Sequence, residues 1–256
     1  MKVTILGCGT SQGVPRIGGK LNQGWGHCDP TNPKNRRRRV SIMLEQGDTR
    51  LVVDTGPDFR EQALSAGFTE LDGVLYTHDH ADHTHGIDDL RAIAQNMKKE
   101  VPVYSNKHTL RVLKERFAYI FKGRKFYNSI CTANEIDLEP FTVGDFKNIQ
   151  AMELVHGAIY SYGFRFGNVC YCTDFNEIPK ETYQHLYNLD LWIVDCLREE
   201  PHPTHTHLEQ TLSYIEEFKP KRAVLTHMTA ELDYETLKNQ LPNGVEPAYD
   251  GMVLNY

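Results

Sequence analysis

Apolar and polar positions along the chain fall into short runs whose period changes repeatedly. Val3-Thr4-Ile5-Leu6 is β-like and stops at Gly7-Cys8-Gly9-Thr10-Ser11, where glycines predict a tight turn or a close backbone approach. Residues 13–39 are rich in Gly, Pro, Asn and Arg, show no periodicity, and read as a long loop of the kind that usually carries function. Val40–Leu44 and Arg50–Asp54 read as a hairpin turning at Gln46-Gly47-Asp48. Helical spacing over Pro57–Ala66 ends at Gly67, a common C-terminal cap. The apolar strand Gly73–Thr77 runs straight into His78; a helix (Ile87–Lys99), a strand (Val101–Tyr104) and a second helix (Thr109–Lys122) follow.

The second half repeats the alternation. Strands are predicted at 130–132, 149–155, 160–166 and 169–173, a short helix at Lys180–Tyr187, and a strongly apolar strand at Leu191–Asp195. Leu208–Phe218 has the spacing of an amphipathic helix, Ala223–Thr226 of a strand and Tyr234–Gln240 of a last helix. Strand clusters with helices in both halves predict an α/β fold of two packed sheets with helices outside. No composition break marks a linker and no internal repeat is evident, so a single domain over residues 1–256 is expected.

Composition narrows the class. With 40% hydrophobic and 24% charged residues the chain is globular, not disordered, collagen-like or coiled-coil. No apolar run approaches the ~20 residues of a membrane helix. The apolar stretch at the start is too short for a secretory signal, and cysteines that form no pairing motif make a cytoplasmic protein the expectation. A formal net charge of −6 argues against a general nucleic-acid-coating role and makes nucleic acid an unfavoured partner. The six cysteines (8, 28, 131, 170, 172 and 196) form no Cys-x-x-Cys pair and read as reduced and buried. Cys170 and Cys172 share a strand face and read as packing residues.

The twelve histidines carry the chemistry. Thr77-His78-Asp79-His80-Ala81-Asp82-His83 places three histidines and a carboxylate within six residues after a buried strand. Imidazole nitrogen and carboxylate oxygen are ligands for Zn²⁺ and similar ions. On a strand-to-helix turn, His78 and His80 can face one way and Asp82 and His83 another, which suits two ions. Asp54, His156, Asp174 and His227 each emerge at the C-terminal end of an apolar strand. Taken singly each is an ordinary turn residue; together they point to one shared rim of the sheets.

Ser/Thr-His-x-His-x-Asp-His followed by separate His, Asp and His motifs resembles the metallo-β-lactamase superfamily from Gly7 to His227. That resemblance implies an αββα sandwich of two mixed sheets flanked by helices. It implies one ion on His78, His80 and His156, a second on Asp82, His83 and His227, and Asp174 between them. Asp54 would orient a ligand histidine. Two divalent ions, Zn²⁺ or Mn²⁺ with Fe²⁺ as a third option, are implied; histidine rather than glutamate at 80 disfavours the redox di-iron branch. Two ions roughly 3.5–4 Å apart suit water attack on a phosphodiester.

Leu6-Gly7-Cys8-Gly9-Thr10-Ser11-Gln12-Gly13-Val14-Pro15, Leu225-Thr226-His227, Asp195-Cys196 and Asp250-Gly251-Met252 are similar to the phosphoribosyl 1,2-cyclic phosphate phosphodiesterase branch. The resemblance implies a small cyclic phosphate or nucleotide substrate and places its active-site histidine at His205, with His207 the second choice and His202 the third. The Cys-rich loop that binds a structural zinc in that branch is reduced here to Cys28, preceded by Trp25-Gly26-His27, so a structural third metal is not expected. Within the run Arg36–Arg39, the bland reading is a solvated loop; the sharper one, centred on Arg39, is a guanidinium that pairs with substrate phosphate. The alternatives are an RNA-processing nuclease, a thioester hydrolase, and a non-catalytic ligand-binding module. The 17 residues between His156 and Asp174 are too few for the long arm of the tRNA 3′-end nuclease. A homodimer is the default assembly expectation.

Overall fold

A computed structural model describes residues 1–256. The first sheet takes β1 (Lys2–Gly7), β2 (Ser41–Gln46), β3 (Thr49–Val53), β4 (Gly73–Leu75), β5 (Val101–Ser105) and β6 (Cys131–Glu135). The second takes β7 (Phe141–Val143), β8 (Phe146–His156), β9 (Ile159–Phe166), β10 (Val169–Cys172), β11 (Leu191–Asp195), β12 (Ala223–Thr226) and β13 (Val245–Pro247). The last strand, β14 (Val253–Asn255), returns to pair antiparallel with β1 and completes two seven-stranded sheets. The helices are α1 (Phe59–Ala66), α2 (Ala81–Thr84), α3 (Leu90–Met97), α4 (Lys107–Arg116), α5 (Ala118–Lys122), α6 (Leu208–Phe218) and α7 (Tyr234–Gln240). None is long and apolar enough to cross a membrane.

Strand alternation decides which layer each side chain joins. Ile42 and Leu44 of β2, with Leu51 and Val53 of β3, face the second sheet and enter a 42-residue core. Met43 and Val52, between them in sequence, face α1, α3 and α4 and enter an 18-residue core on the other side. Cys170 and Cys172 are buried with their sulfurs 3.5 Å apart, as two residues on one strand face must be.

The two sheets share a plan that the sequence shows no trace of. Antiparallel pairing gives way to parallel pairing at β3–β4 in one and at β10–β11 in the other. Helical crossovers connect the parallel strands, so their C-terminal ends align at one rim, where ligands bind in open α/β sheets.

Several boundaries differ from the periodicity reading. The helix expected over Thr109–Lys122 breaks at Phe117, which leaves helical geometry (φ −122°, ψ 43°) as its ring packs 5.4 Å from His85. The helix expected over Ile87–Lys99 opens with a 3₁₀ turn at Ile87–Asp89 and stops at Met97, with Lys98 left-handed. Lys180–His185 is 3₁₀, not α. The three-residue strands β7, β13 and β14 and the four-residue α2 were not foreseen, because so few residues carry no readable period.

Candidate metal centre

Three of the rim residues have left-handed backbones: Asp54 (φ 63°) after β3, Asp174 (φ 56°) after β10 and His227 (φ 60°) after β12. Such residues cost on the order of 1–3 kcal/mol each and gather at functional sites. The sharp turn stops each strand and points the side chain along the rim. Asp54 and Asp174 occupy equivalent stations in the two sheets. The Ser41 hydroxyl donates to the Val53 and Asp54 carbonyls at 3.0 and 2.8 Å, and the Ser161 hydroxyl donates to those of Thr173 and Asp174 at 3.3 and 2.7 Å. The same backbone device appears twice, with different tasks for the two carboxylates.

Two groups of four ligand atoms result, with Asp174 in both: His78, His80 and His156 in one, Asp82, His83 and His227 in the other. Asp174 Oδ2 lies 3.9 Å from His78 Nε2 and 3.8 Å from His156 Nε2. Its Oδ1 lies 3.2 Å from His83 Nε2 and 3.5 Å from His227 Nε2. Donors bound at 2.0–2.2 Å to one tetrahedral ion stand roughly 3.3–3.6 Å from one another, so both groups have metal-sized spacing. The fit has an independent sign. His78 Nε2, His83 Nε2 and His227 Nε2 are buried without any hydrogen-bond partner. Buried polar atoms are rarely left unpaired, and three that converge on one carboxylate call for cations.

Further hydrogen bonds orient these candidate ligands. Asp54 accepts from His83 Nδ1 at 2.7 Å and from the backbone N–H and hydroxyl of Thr77, each at 2.8 Å. His156 Nδ1 donates to the Thr204 carbonyl at 2.7 Å, which turns Nε2 inward and ties β8 to the loop after β11. Gly56 lets α2 approach, since a Cβ there would stand 2.0 Å from the Asp82 carbonyl oxygen.

The electrostatics tell the same story. Burial favours the protonated acid at Asp174, yet the His227, His83 and His205 charges hold its carboxyl well below the usual range. Burial likewise opposes a charge on His83, but Asp174, Asp82 and Asp54 raise its proton affinity well above normal. His78, without such a set, is pushed down by burial and by His83. Packed carboxylates thus demand positive charge, and divalent cations supply it better than a proton does.

His205 stands at the edge of the cluster. Its Nδ1 lies 2.9 Å from Asp195 Oδ2, its Nε2 is 3.8 Å from Asp174 Oδ2, and its ring stacks on His227 with centroids 4.7 Å apart. Burial resists protonation, but Asp195 and Asp174 outweigh it and push His205 up to about 9. Beyond His205 opens a cavity of about 560 Å³, walled in part by Thr10, Ser11, Arg16, His27, Arg198 and His202. His207 takes the N-cap position of α6 and does not line that cavity.

Not all the singled-out residues meet here. Arg39 is paired with Asp58 at 2.9 Å and faces a separate hollow beside Asp250. Its neighbours diverge as alternate side chains must: Arg36 lies over the Trp25 ring, and Arg38 pairs with Asp250 at 2.9 Å. Arg37 is no loop cation in water but is 1% exposed. It donates to the Thr229 and Leu232 carbonyls at 2.8 and 2.6 Å and lies 3.8 Å from the Cys28 sulfur. A guanidinium thus ties the long N-terminal loop to the segment after His227. Sequence reasoning passed over Asp195 as an orienting group, although it ends an apolar strand as Asp54 and Asp174 follow theirs, and it passed over Arg198; Arg16, a minor candidate for phosphate in the glycine-rich loop, does line the cavity.

Residues 49–228 match the family model described as Beta-lactamase superfamily domain. The chain belongs to that superfamily. Its metallo-β-lactamase fold is also that of a solved structure of a new diphosphatase from the PhnP family, 38% identical, covering 99% of this chain and 96% of that one with a TM-score of 0.91. An octanoyltransferase of Porphyromonas gingivalis (strain ATCC BAA-308 / W83) is 32% identical over 260 residues, 98% of this chain and 51% of that protein. The superfamily chain therefore spans about half the length of that relative. A ribonuclease Z of Bradyrhizobium sp. (strain ORS 278) is 39% identical over 57 residues, 22% of this chain and 19% of that protein.

Proposed function

We propose that the chain is a hydrolase with two divalent ions, Zn²⁺ or Mn²⁺, that cleaves a small phosphodiester such as a cyclic phosphate or nucleotide. The observation that carries this reading is one buried carboxylate, Asp174, shared by two four-residue ligand groups, with His205 beside it at the mouth of a cavity. His78, His80 and His156 would hold one ion and Asp82, His83 and His227 the other, with Asp174 between. Bound there, two such ions supply an activated water and neutralise phosphate charge.

The chain's own residues supply the rest. Asp54 fixes the tautomer and direction of His83. Asp195 does the same for His205, leaving Nε2 to deliver a proton to the departing alkoxide. Arg16 and Arg198 line the cavity and suit an anionic substrate by charge. A volume of about 560 Å³ fits a small molecule rather than a polymer chain. The diphosphatase relative supports chemistry at phosphorus; the octanoyl transfer in the other relative's name belongs to a protein about half of which lies outside the match.

The test is hydrolysis of bis(p-nitrophenyl) phosphate with Mn²⁺ or Zn²⁺ added and a chelator control. Metal-dependent turnover is expected. Its absence from protein carrying two ions by elemental analysis would move the reading to a thioester hydrolase or a binding module.

A further inference from the structure

The charge of this chain is unevenly placed. Residues 91–128 hold ten Lys and Arg against two Glu, a formal +8 inside a chain of −6. Part of that excess lines a cleft of about 840 Å³ between the end of α3 and the segment after α5. Lys98 and Lys99 stand on one side, Lys122 and Arg124 on the other, and none of the four has an ion-pair partner. The one carboxylate in the cleft, Glu100, is taken up by the hydroxyls of Ser129 and Thr132 rather than by a lysine.

Aromatic faces accompany the cations. Phe126 is 83% exposed and Tyr127 67% exposed. They sit on a built turn: Arg124 and Tyr127 exchange backbone hydrogen bonds of 2.7 and 2.9 Å, and the buried Ile120 and Ile130 anchor its base through a bond of 2.7 Å. Lysines after a helix C-terminus are ordinary complements to its dipole. That accounts for Lys98 and Lys99, but not for Arg124 or for two large aromatic rings held out in water beside it. The cleft lies where β5 and β6 begin, whereas the metal ligands lie where β4 ends; the three strands are parallel, so the two sites are at opposite ends of the sheet.

We infer that this cleft is a docking surface for single-stranded RNA, separate from the site of hydrolysis. Unpaired cations spaced along a groove suit a phosphodiester backbone, and exposed rings beside them suit unstacked bases. A duplex would offer the rings no base faces, and an acidic polypeptide would leave them without a role. The inference does not depend on which small molecule is hydrolysed.

The test is fluorescence anisotropy of a labelled 15-nucleotide oligouridylate with the metal-loaded full chain, probe integrity being checked on a gel. Four phosphate contacts predict a fall in affinity of roughly fifty-fold between 50 and 200 mM salt. The variant Lys98→Glu/Lys99→Glu/Arg124→Glu should lose at least about tenfold at 50 mM salt. Phe126→Ala/Tyr127→Ala should lose on the order of tenfold. Both should hydrolyse bis(p-nitrophenyl) phosphate, if the wild type does, at its rate; cooperative unfolding near the wild-type temperature verifies their fold in either case. Wild-type binding that is absent or insensitive to salt would overturn the inference, as would charge-reversed protein that binds as well as wild type. Displacement of RNA by polyglutamate at equal charge, with the aromatic variant unaffected, would overturn it in favour of an acidic protein partner.

Discussion

Asp195 and His205 meet at 2.9 Å between Oδ2 and Nδ1, and the other Asp195 oxygen lies 3.6 Å from Nδ1 of His227. One buried carboxylate thus faces both the proposed proton donor and a proposed metal ligand. If His205 delivers the proton, His205→Ala should reduce kcat on an alkyl phosphodiester by about 10²–10⁴-fold with the metal content unchanged. Asp195→Asn should fall into the same range, and the double variant should be little worse than either single one, because the two act as a unit. Additive losses would show that they act separately. An activated ester such as bis(p-nitrophenyl) phosphate needs less help with its leaving group and should lose less.

The same pair makes a pH prediction for chelated protein. His205 stands at about 9 in the fold against 6.5 for an ordinary histidine, because Asp195 and Asp174 outweigh the burial that opposes its charge. A raised folded value contributes stability that is fully present below pH 6.5 and is lost as pH rises through about 9. The contribution is at most on the order of 3 kcal/mol. The difference in thermal midpoint between wild type and His205→Gln, both in chelator, should therefore be largest near pH 6 and shrink by pH 10. A difference that grows with pH would refute the assignment.

Asp54 touches no proposed substrate position; it works through His83. Removing its 2.7 Å bond to Nδ1 frees the ring to tilt and lowers its basicity as a ligand. Asp54→Asn should weaken one of the two metal sites by about 10–100-fold and leave the other, on His78, His80 and His156, near wild type. Competition with a chelating dye would read this as a change from two tight equivalents to one tight and one weak. Equal weakening at both sites would indicate a general collapse of the rim.

Arg37 is a buried tie. The long N-terminal loop places its guanidinium against two carbonyls and the Cys28 sulfur. Arg37→Met keeps the apolar stem and abandons the carbonyls. It should cost ~2–4 kcal/mol, about 5–15 °C in melting temperature, with no change on adding zinc. Because Gly26 and His27 wall the cavity and the His27 N–H bonds the Ala230 carbonyl at 2.8 Å, KM should rise more than kcat falls. Unchanged stability would mean that the loop is held by other contacts.

The candidate metal ligands were legible in the chain because their chemistry is local. Seven residues, Thr77 to His83, hold four donors at the end of one strand, and His156, Asp174 and His227 repeat the same position after three more. That spacing, after runs of apolar residues, pointed to two sheets and one shared rim, and the resemblance to the superfamily divided the candidate ligands between two ions. Even the basic stretch 91–128 stands in the sequence, hidden only by an overall charge of the opposite sign. What the linear order could not contain was which polar groups far apart in the chain would be brought together. Asp195 as the partner of His205 and the withdrawal of Arg39 into a pair with Asp58 both depend on how loops settle across the rim. So does the equivalence of Asp54 and Asp174, which rests on backbone geometry in two sheets with no shared sequence pattern. Strand period and ligand type are properties of neighbouring residues; tertiary packing alone decides whether a guanidinium or an imidazole meets a carboxylate, water or a cavity.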